Sequence, residues 1–513
     1  MTLLADVVAT SQTVGATPAR LAKVRELARR LAAFAPDEIE IGTLYLSGVA
    51  PQGRFGIGYA LLQSASEGRA ATEPTLTIAE VDRQLGEIAT IRGAGANTRR
   101  ADALRALFSL ATAPEREFLF RLLIGELRQG ALEGVMTDAI ASAASLPPAP
   151  VRRAMMYAKS IGAVAHEALL EGEAGLARFQ LEILSPIVPM LAQTAADPAD
   201  ALQQLGGQAA FEWKMDGARI QVHKADDVVR IYTRNLNDVT AAVPEIVETV
   251  RALQARDVIL DGEAIAFDAR GRPHPFQITM RRFGRKLDVE ALRADLPMRA
   301  YFFDCLRLDG QSLADRPTRE RYEALVAAVP DSLRISRLVT ASAADAQAFY
   351  EAALAAGHEG VMAKSLDTPY EAGSRGAGWL KIKRAHTLDL VILAAEWGHG
   401  RRSGKLSNLH LGAIDPATGE YVMLGKTFKG LTDAMLEWQT KEFLAREIRR
   451  DRYTVYVRPE IVAEIAFSDV QASPRYPGRF ALRLARVKRY RDDKNVGEAD
   501  TVETVRQIFE AQR

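Results

Sequence analysis

Lys214 ends an apolar, strand-like run from Ala209 to Trp213, and Asp216, Gly217 and Arg219 follow it at fixed offsets. A free lysine amine has a pKa near ~10.4, so at neutral pH it is protonated and a poor nucleophile. Burial or nearby cations lower that value and free the lone pair. So placed, Lys214 could attack a phosphorus atom. Gly217 allows a tight turn or the close approach of a ligand, and Arg219 can grip phosphate or ribose oxygens. A surface turn closed by a salt bridge would use the same residues.

Further residues extend this chemistry. Leu260-Asp261-Gly262-Glu263 places a carboxylate in a strand-turn-strand context, and Glu359 opens the apolar run Gly360 to Ala363. Carboxylates are natural ligands for Mg²⁺, which phosphate chemistry commonly needs. Each acid taken alone also fits a solvated turn. In Trp379-Leu380-Lys381-Ile382-Lys383 the alternation of a strand puts both lysines on one face, where they could straddle a phosphate or protect an exposed edge. Residues 475–494 hold eight Lys or Arg against two Asp, an excess of +6 in a chain of net charge +1. Local clustering of this kind suits a phosphate backbone or a solvated face. Arg281 to Lys286 and Arg401 to Lys405 are smaller basic clusters.

The elements that must position these groups change in texture along the chain. At 513 residues, several domains are expected. Residues 1–183 read as helical. Thr17-Pro18 suggests a cap with proline in the first turn, followed by Leu21, Val24, Leu27 and Leu31 at helical spacing. Arg116 to Leu127 repeats the pattern. Ser185 to Leu191, with prolines at 186 and 189, marks the first boundary. Short β-rich runs follow at 218–223, 228–233, 258–267 and 300–308, with helices near 319–328 and 343–356. Beyond a second boundary near 384–388, five more runs (390–395, 409–414, 421–424, 454–457 and 461–466) suggest a small barrel. The expected domains are 1–183, 184–386 and 387–513. The one cysteine, Cys305, excludes an intrachain disulfide and a Cys-rich zinc module. No signal peptide or membrane-spanning run is read, so a cytoplasmic protein is expected. Gly398 to Leu406 has the look of a phosphate-binding P-loop but lacks its first glycine and its final Ser or Thr.

In this order the motifs resemble ATP-dependent DNA ligases, within the nucleotidyltransferases that form a lysyl–nucleotide intermediate. Glu212 to Gly217 resembles the nucleophile motif and Arg234 to Thr240 the arginine segment after it. Asp261-Gly262-Glu263, Tyr301 to Asp304, Glu359 to Lys364 and Trp379 to Lys383 follow, with Arg375 ahead of the last. Leu482 to Lys494 resembles the C-terminal basic motif, ending Arg491-Asp492-Asp493-Lys494. Gly125 to Gly130 resembles the Leu-Arg-x-Gly turn of the helical DNA-binding domain of larger ligases, and Pro186 to Ala192 the entry to their catalytic domain.

The resemblance implies an all-α N-terminal domain, an α+β nucleotidyltransferase domain with antiparallel sheets, and a C-terminal OB-type β-barrel, with flexible links near 184 and 387. It implies that Lys214 attacks the α-phosphate of ATP. Glu212 contacts adenine, Phe303 stacks on it, and Arg219 and Glu263 hold the ribose. Arg234, Arg375, Lys381 and Lys383 meet nucleotide or phosphate, and Glu263 and Glu359 hold Mg²⁺. Arg128, Arg483, Arg486, Arg489, Arg491 and Lys494 bind DNA. AMP then passes to the 5′-phosphate of a nick in duplex DNA and the 3′-hydroxyl displaces it, in replication, repair or recombination. A monomer associated with the nucleoid is expected, and a sliding clamp or a repair protein is a conceivable recruiter. An mRNA capping enzyme or an RNA ligase would share the nucleophile motif without the large helical domain. An NAD-dependent ligase would carry a four-cysteine zinc module. A non-catalytic nucleic-acid-binding scaffold would not need Lys214, Glu263, Glu359 and Lys381 together.

Overall fold

A computed structural model describes residues 1–53, 58–127, 129, 133–283, 288–373, 376–383, 386–399 and 402–511. Helices from Leu4 to Leu176 enclose one core that includes Leu4, Leu27, Tyr45, Leu85, Phe108, Leu119, Ile140 and Val164. The helix Ala113–Ile124 shows why such elements start and stop where they do. The Thr112 backbone N–H and Oγ1 donate to Glu115 Oε2 at 2.8 and 2.7 Å, and Gly125 ends the helix in the left-handed region. The helix expected directly after Thr17-Pro18 begins instead at Arg20. Thr17 Oγ1 accepts from Ala19 N at 3.2 Å, so the proline lies in a turn ahead of the helix.

The chain near 184, where a flexible link is expected, is pinned by hydrogen bonds. Leu184 N donates to His223 Nδ1 (3.0 Å), and Leu184 O accepts from the Tyr232 hydroxyl (2.9 Å). Gln221 takes both the N–H and the C=O of Ile187.

Among the described residues the central unit contains ten strands: β1 (Gln193–Thr194), β2 (Ala209–Lys214), β3 (Ala218–Ala225), β4 (Val228–Thr233), β5 (Asp257–Ala266), β6 (Met298–Leu308), β7 (Gln311–Ser312), β8 (Arg337–Thr340), β9 (Gly360–Lys364) and β10 (Trp379–Lys383). They form two sheets, ordered β1-β10-β9-β2-β8 and β4-β3-β5-β6-β7, and all pairings except β1–β10 are antiparallel.

Strand alternation divides the first sheet into two faces. Ala209, Phe211, Val361, Ala363, Leu380 and Ile382 pack against Ala346 and Ala353 of the helix Ala343–Ala355. Glu212, Lys214, Met362, Lys364, Trp379, Lys381 and Lys383 share the other face by register. The second sheet buries Ile220, Val222, Leu260 and Phe302 in its own core.

The C-terminal unit is β-rich. Its strands are β11 (His386–Trp397), β12 (Leu406–Ile414), β13 (Tyr421–Thr427), β14 (Glu447–Arg450), β15 (Thr454–Val457), β16 (Val462–Phe467), β17 (Asp469–Ala472), β18 (Phe480–Arg483) and β19 (Arg486–Tyr490). The long β11 pairs with β16 along its first half and with β12 and β15 along its second, which curls the sheet around Leu390, Leu409, Leu424, Val455, Ile465 and Val487. β17 and β18 form a separate hairpin. The fold is thus an all-α unit, an α+β unit with antiparallel sheets and a β-rich unit of OB type, as the sequence implied.

Candidate active site

Lys214 closes β2, and β9 runs beside it in register, Lys214 opposite Gly360. Glu359, one residue ahead of β9, therefore meets the lysine. Lys214 Nζ lies 2.7 Å from Glu359 Oε2, and Lys383 Nζ lies 2.6 Å from the same oxygen. Gly360 makes this approach feasible. Its φ is +142°, and a Cβ there would overlap the carbonyl oxygen of Ile382 on β10. Gly217 is needed for the same kind of reason: a Cβ would strike the carbonyl oxygen of Ala264 on β5. That glycine admits a neighbouring strand, which is how Glu263 comes near Lys214.

The electrostatics centre on the amine. Burial pulls the Lys214 pKa down, but Glu359, Glu263 and Asp216 outweigh it, and the net direction is up. These neighbours favour the ammonium form, the reverse of the lowering that would activate a nucleophile. Burial pushes Glu263 up to about 7, although Lys214 and Arg219 pull the other way. Burial and Glu359 raise Asp216 to about 6. For Glu359 burial acts upward, and Lys214 and Lys383 overcome it, so its carboxyl lies below the ordinary range.

Three carboxylates crowding one amine suit a divalent cation, and an all-oxygen donor set suits Mg²⁺. Among the described residues no group of three or more His, Cys, Asp or Glu side chains forms a cage for a metal. The arrangement fits an ion held by one or two carboxylates and completed by phosphate oxygens and water.

Arg219, in register with Glu263, is tied elsewhere. It makes a bidentate pair with Asp261 (3.0 and 2.6 Å) and donates to Met190 O (2.6 Å) and the Tyr370 hydroxyl (3.3 Å). Tyr370 donates to Asp261 Oδ2 (2.7 Å) and accepts from Met190 N (2.9 Å), so it joins the linker to the site. The guanidinium lies 5.5 Å from the ring centroids of both Phe303 and Trp379. Glu212 is buried between Arg337 and Lys364. Asp261, Tyr370, Trp379, Arg337 and Lys364 thus belong to the site without having been assigned a role from sequence. Asp261, Lys364 and Trp379 lie inside motifs of the sequence, and strand alternation places Lys364 with the lysines.

The other expected residues divide. Phe303 is half-buried and meets Trp379 edge-on, at 6.1 Å between centroids. Lys381 faces the site beside Met362. Arg234 is exposed in the turn after β4. Arg128 and Arg375 lie outside the described residues. Arg483 reaches across from β18 to Asp216 (3.3 Å) and also pairs with Asp469 (3.0 Å). Arg486 is exposed, and Arg489 pairs with Glu464. Arg491 and Lys494 are both held by Asp389 of β11, at 2.8 and 2.7 Å. In the 281–286 cluster Arg282 is a core residue, fully buried on Glu245 and on the carbonyls of Ala242 and Leu296.

A helical unit ahead of a two-sheet catalytic unit, with an OB-type unit behind it and a lysine at the centre of the site's charge, is the build of a nucleotidyltransferase that carries its nucleotide on lysine. Three family models match the chain: DNA ligase N terminus over residues 52–141, ATP dependent DNA ligase domain over 189–383, and ATP dependent DNA ligase C terminal region over 402–494. The chain belongs to the ATP-dependent DNA ligase family. It is 58% identical over 510 residues, 99% of each chain, to a probable DNA ligase of Anaeromyxobacter dehalogenans (strain 2CP-C). It is 56% identical, again over 510 residues and 99% of each chain, to one of Mycolicibacterium gilvum (strain PYR-GCK). The solved structure Pmar-Lig_Pre shares the fold at 18% identity, with a TM-score of 0.63 over 95% of this chain and 99% of that one. The protein is an ATP-dependent DNA ligase that seals nicks through a ligase–adenylate, with Mg²⁺ the family's usual metal.

Proposed function

We propose that Lys214 is the residue that carries AMP. The observation that carries this reading is the Lys214 amine, clasped by Glu359 at 2.7 Å at the end of a strand whose face also bears Glu212. The surplus proton on Nζ passes to a carboxylate oxygen of Glu359, and the freed lone pair forms a bond to the α-phosphorus of ATP. The α–β phosphoanhydride bond breaks, and pyrophosphate leaves with the second surplus proton of Nζ, so that a neutral phosphoramidate N–H remains. An oxygen of the nick's 5′-phosphate next takes AMP from Nζ, which regains its protons, and the 3′-hydroxyl then displaces AMP to close the strand.

Glu212 reads adenine, Phe303 stacks on it, and Arg219 and Glu263 hold the ribose. Arg234, Arg375, Lys381 and Lys383 take phosphate or nucleotide oxygens. Glu263 and Glu359 are the side chains that would hold Mg²⁺, which supplies neutralisation of phosphate charge when bound. Arg128, Arg483, Arg486, Arg489, Arg491 and Lys494 contact nicked duplex DNA. Division into units 1–183, 184–386 and 387–513 is supported by the helical core, the sheet core and the β-rich core, each built from one of these segments. The enzyme acts as a monomer on nucleoid DNA in the cytoplasm, in replication, repair or recombination. No helix of the described residues is long and apolar enough to cross a membrane.

Incubation with α-labelled ATP and Mg²⁺ should label the wild-type chain and leave Lys214→Ala unlabelled. Label on that variant would remove Lys214 from its role. Labelling without sealing of nicked DNA would favour an RNA-end or capping substrate.

A further inference from the structure

Glu212, on the site face, is 1% exposed, and both of its oxygens are engaged. Arg337, directly opposite on β8, donates from Nη1 to Oε1 at 2.9 Å. Lys364, on the other neighbouring strand, lies 2.6 Å from Oε2. Each cation is fixed from behind. The Arg337 guanidinium sits 3.7 Å from the centroid of the Tyr322 ring. The Lys364 ammonium donates to Phe303 O at 3.1 Å and lies 4.6 and 4.3 Å from the ring centroids of Phe303 and Trp379. A carboxylate gripped in this way cannot turn.

We infer that Arg337 and Lys364 are specificity-determining residues, which fix Glu212 as an acceptor for the exocyclic amine of the purine and so admit ATP and refuse GTP. The inference rests on the proposed reading of Glu212 against adenine. An ionised carboxylate offers acceptor lone pairs and no donor. Each oxygen keeps one lone pair after serving its cation, enough for the 6-amino group of adenine. Guanine presents a carbonyl oxygen at that position, acceptor against acceptor. The two cations would welcome that carbonyl if they were free to turn to it. Their ties to Glu212, to the Tyr322 ring and to Phe303 hold them back. Sites that read one polar group in this manner reject the analogue lacking it by up to ~10⁴-fold.

The test is self-labelling of the full chain with α-labelled ATP and, separately, α-labelled GTP in Mg²⁺, read as the ratio of kcat/KM. Both nucleotides are measured on one preparation, so a loss of folded fraction cancels from the ratio. Arg337→Met and Lys364→Met should each lower the ATP:GTP ratio by at least about tenfold, whereas Arg337→Lys, which keeps a cation there, should hold it within about threefold. Glu212→Gln, whose amide can donate to a guanine carbonyl, separates the two layers. An unchanged ratio in Glu212→Gln removes the adenine reading and this inference with it. A ratio that collapses in Glu212→Gln but stays at the wild-type value in Arg337→Met and Lys364→Met, with both nucleotides falling in parallel, overturns the inference and leaves Glu212 its role. Should Arg337→Met not fold, Lys364→Met and Arg337→Lys decide.

Discussion

The hydroxyl of Tyr370 and the carboxylate of Asp261 should behave as one unit in a double-mutant cycle. Asp261 is fully buried and is the bidentate counter-ion of Arg219, whose side chain is 17% exposed. Asp261→Asn leaves that guanidinium beside a neutral amide. Breaking a buried pair by removing one partner costs about 3–5 kcal/mol. Arg219 keeps its bonds to Met190 O and the Tyr370 hydroxyl, so the low end, ~3 kcal/mol, is expected. Tyr370→Phe strips the acceptor from Met190 N and one donor from Asp261, a loss of about 1–3 kcal/mol. The 2.7 Å hydrogen bond between Tyr370 and Asp261 becomes a bond to a neutral amide oxygen in Asp261→Asn and disappears in Tyr370→Phe, so its charge-assisted share is lost in each single variant but only once in the double. The double should therefore fall short of the sum by roughly 1 kcal/mol, the difference between a hydrogen bond to a charged group and one to a neutral group. Urea unfolding of the four proteins, followed by tryptophan fluorescence, measures this, since Trp379 lies against Tyr370. Additivity within ~0.5 kcal/mol would show that the groups do not share a network and would refute the reasoning. The same variants should raise KM for ATP in self-labelling, because they loosen Arg219 beside Phe303.

Three further outcomes follow from the site. The Lys214 pKa is raised above its ordinary 10.5, so the stability its ion pairs contribute is complete below that value and is lost only as pH rises through the folded one. Between pH 8 and 9, above the Glu263 value of about 7, Glu359→Gln should therefore show a constant stability deficit. At pH 9 an amine-directed reagent, read by mass spectrometry, should modify Lys214 at least about tenfold faster in that variant than in the wild type, since one pKa unit lowered is tenfold more free amine. Equal rates would mean that Glu359 does not hold the proton. Arg483→Ala removes the pair with Asp216 and a contact over the Phe276 ring, both of which join the C-terminal unit to the catalytic one. Faster proteolysis between the two units and slower sealing are expected, and an unchanged cleavage pattern would show that this contact does not hold them together. Gly360→Ala should cost more than about 3 kcal/mol, because its Cβ meets backbone and its φ disfavours any side chain. A variant as stable as the wild type would contradict the β9–β10 geometry.

Much of the fold was legible because each strand carries its own alternation. The runs at 228–233 and 454–457 coincide with β4 and β15, and the helix near 343–356 differs from the observed one by a residue. The short strands β14, β17 and β18 escaped notice. They are four residues each, and β14 alternates little between apolar and polar positions. At the site, the meeting of Lys214, Glu359 and Lys383 could be anticipated only as a requirement of the chemistry. The order β1-β10-β9-β2-β8 that produces it is set by long-range pairing, which no local window contains. Arg337 illustrates the consequence. It lies 125 residues from Glu212, in a strand with no unusual feature, and gains its meaning only by standing opposite that acid.

The basic C-terminal segment shows what a count of charge along the chain leaves out. Summed along the chain, residues 475–494 make one patch of +6. In the fold the backbone distributes those charges among different partners. Leu484 takes a positive φ (56°) between β18 and β19, and it separates Arg483, which turns to Asp216, from the strand that follows. Within β19, alternation sends Val487 into the core while Arg486 is exposed and Arg489 meets Glu464. Past the strand, Arg491 and Lys494 converge on Asp389, an acid about a hundred residues earlier that no count over the segment includes. A run of like charge identifies groups able to meet phosphate. Which of them are available depends on the carboxylates that strand pairing brings alongside, and here one aspartate holds two of the cations assigned to DNA.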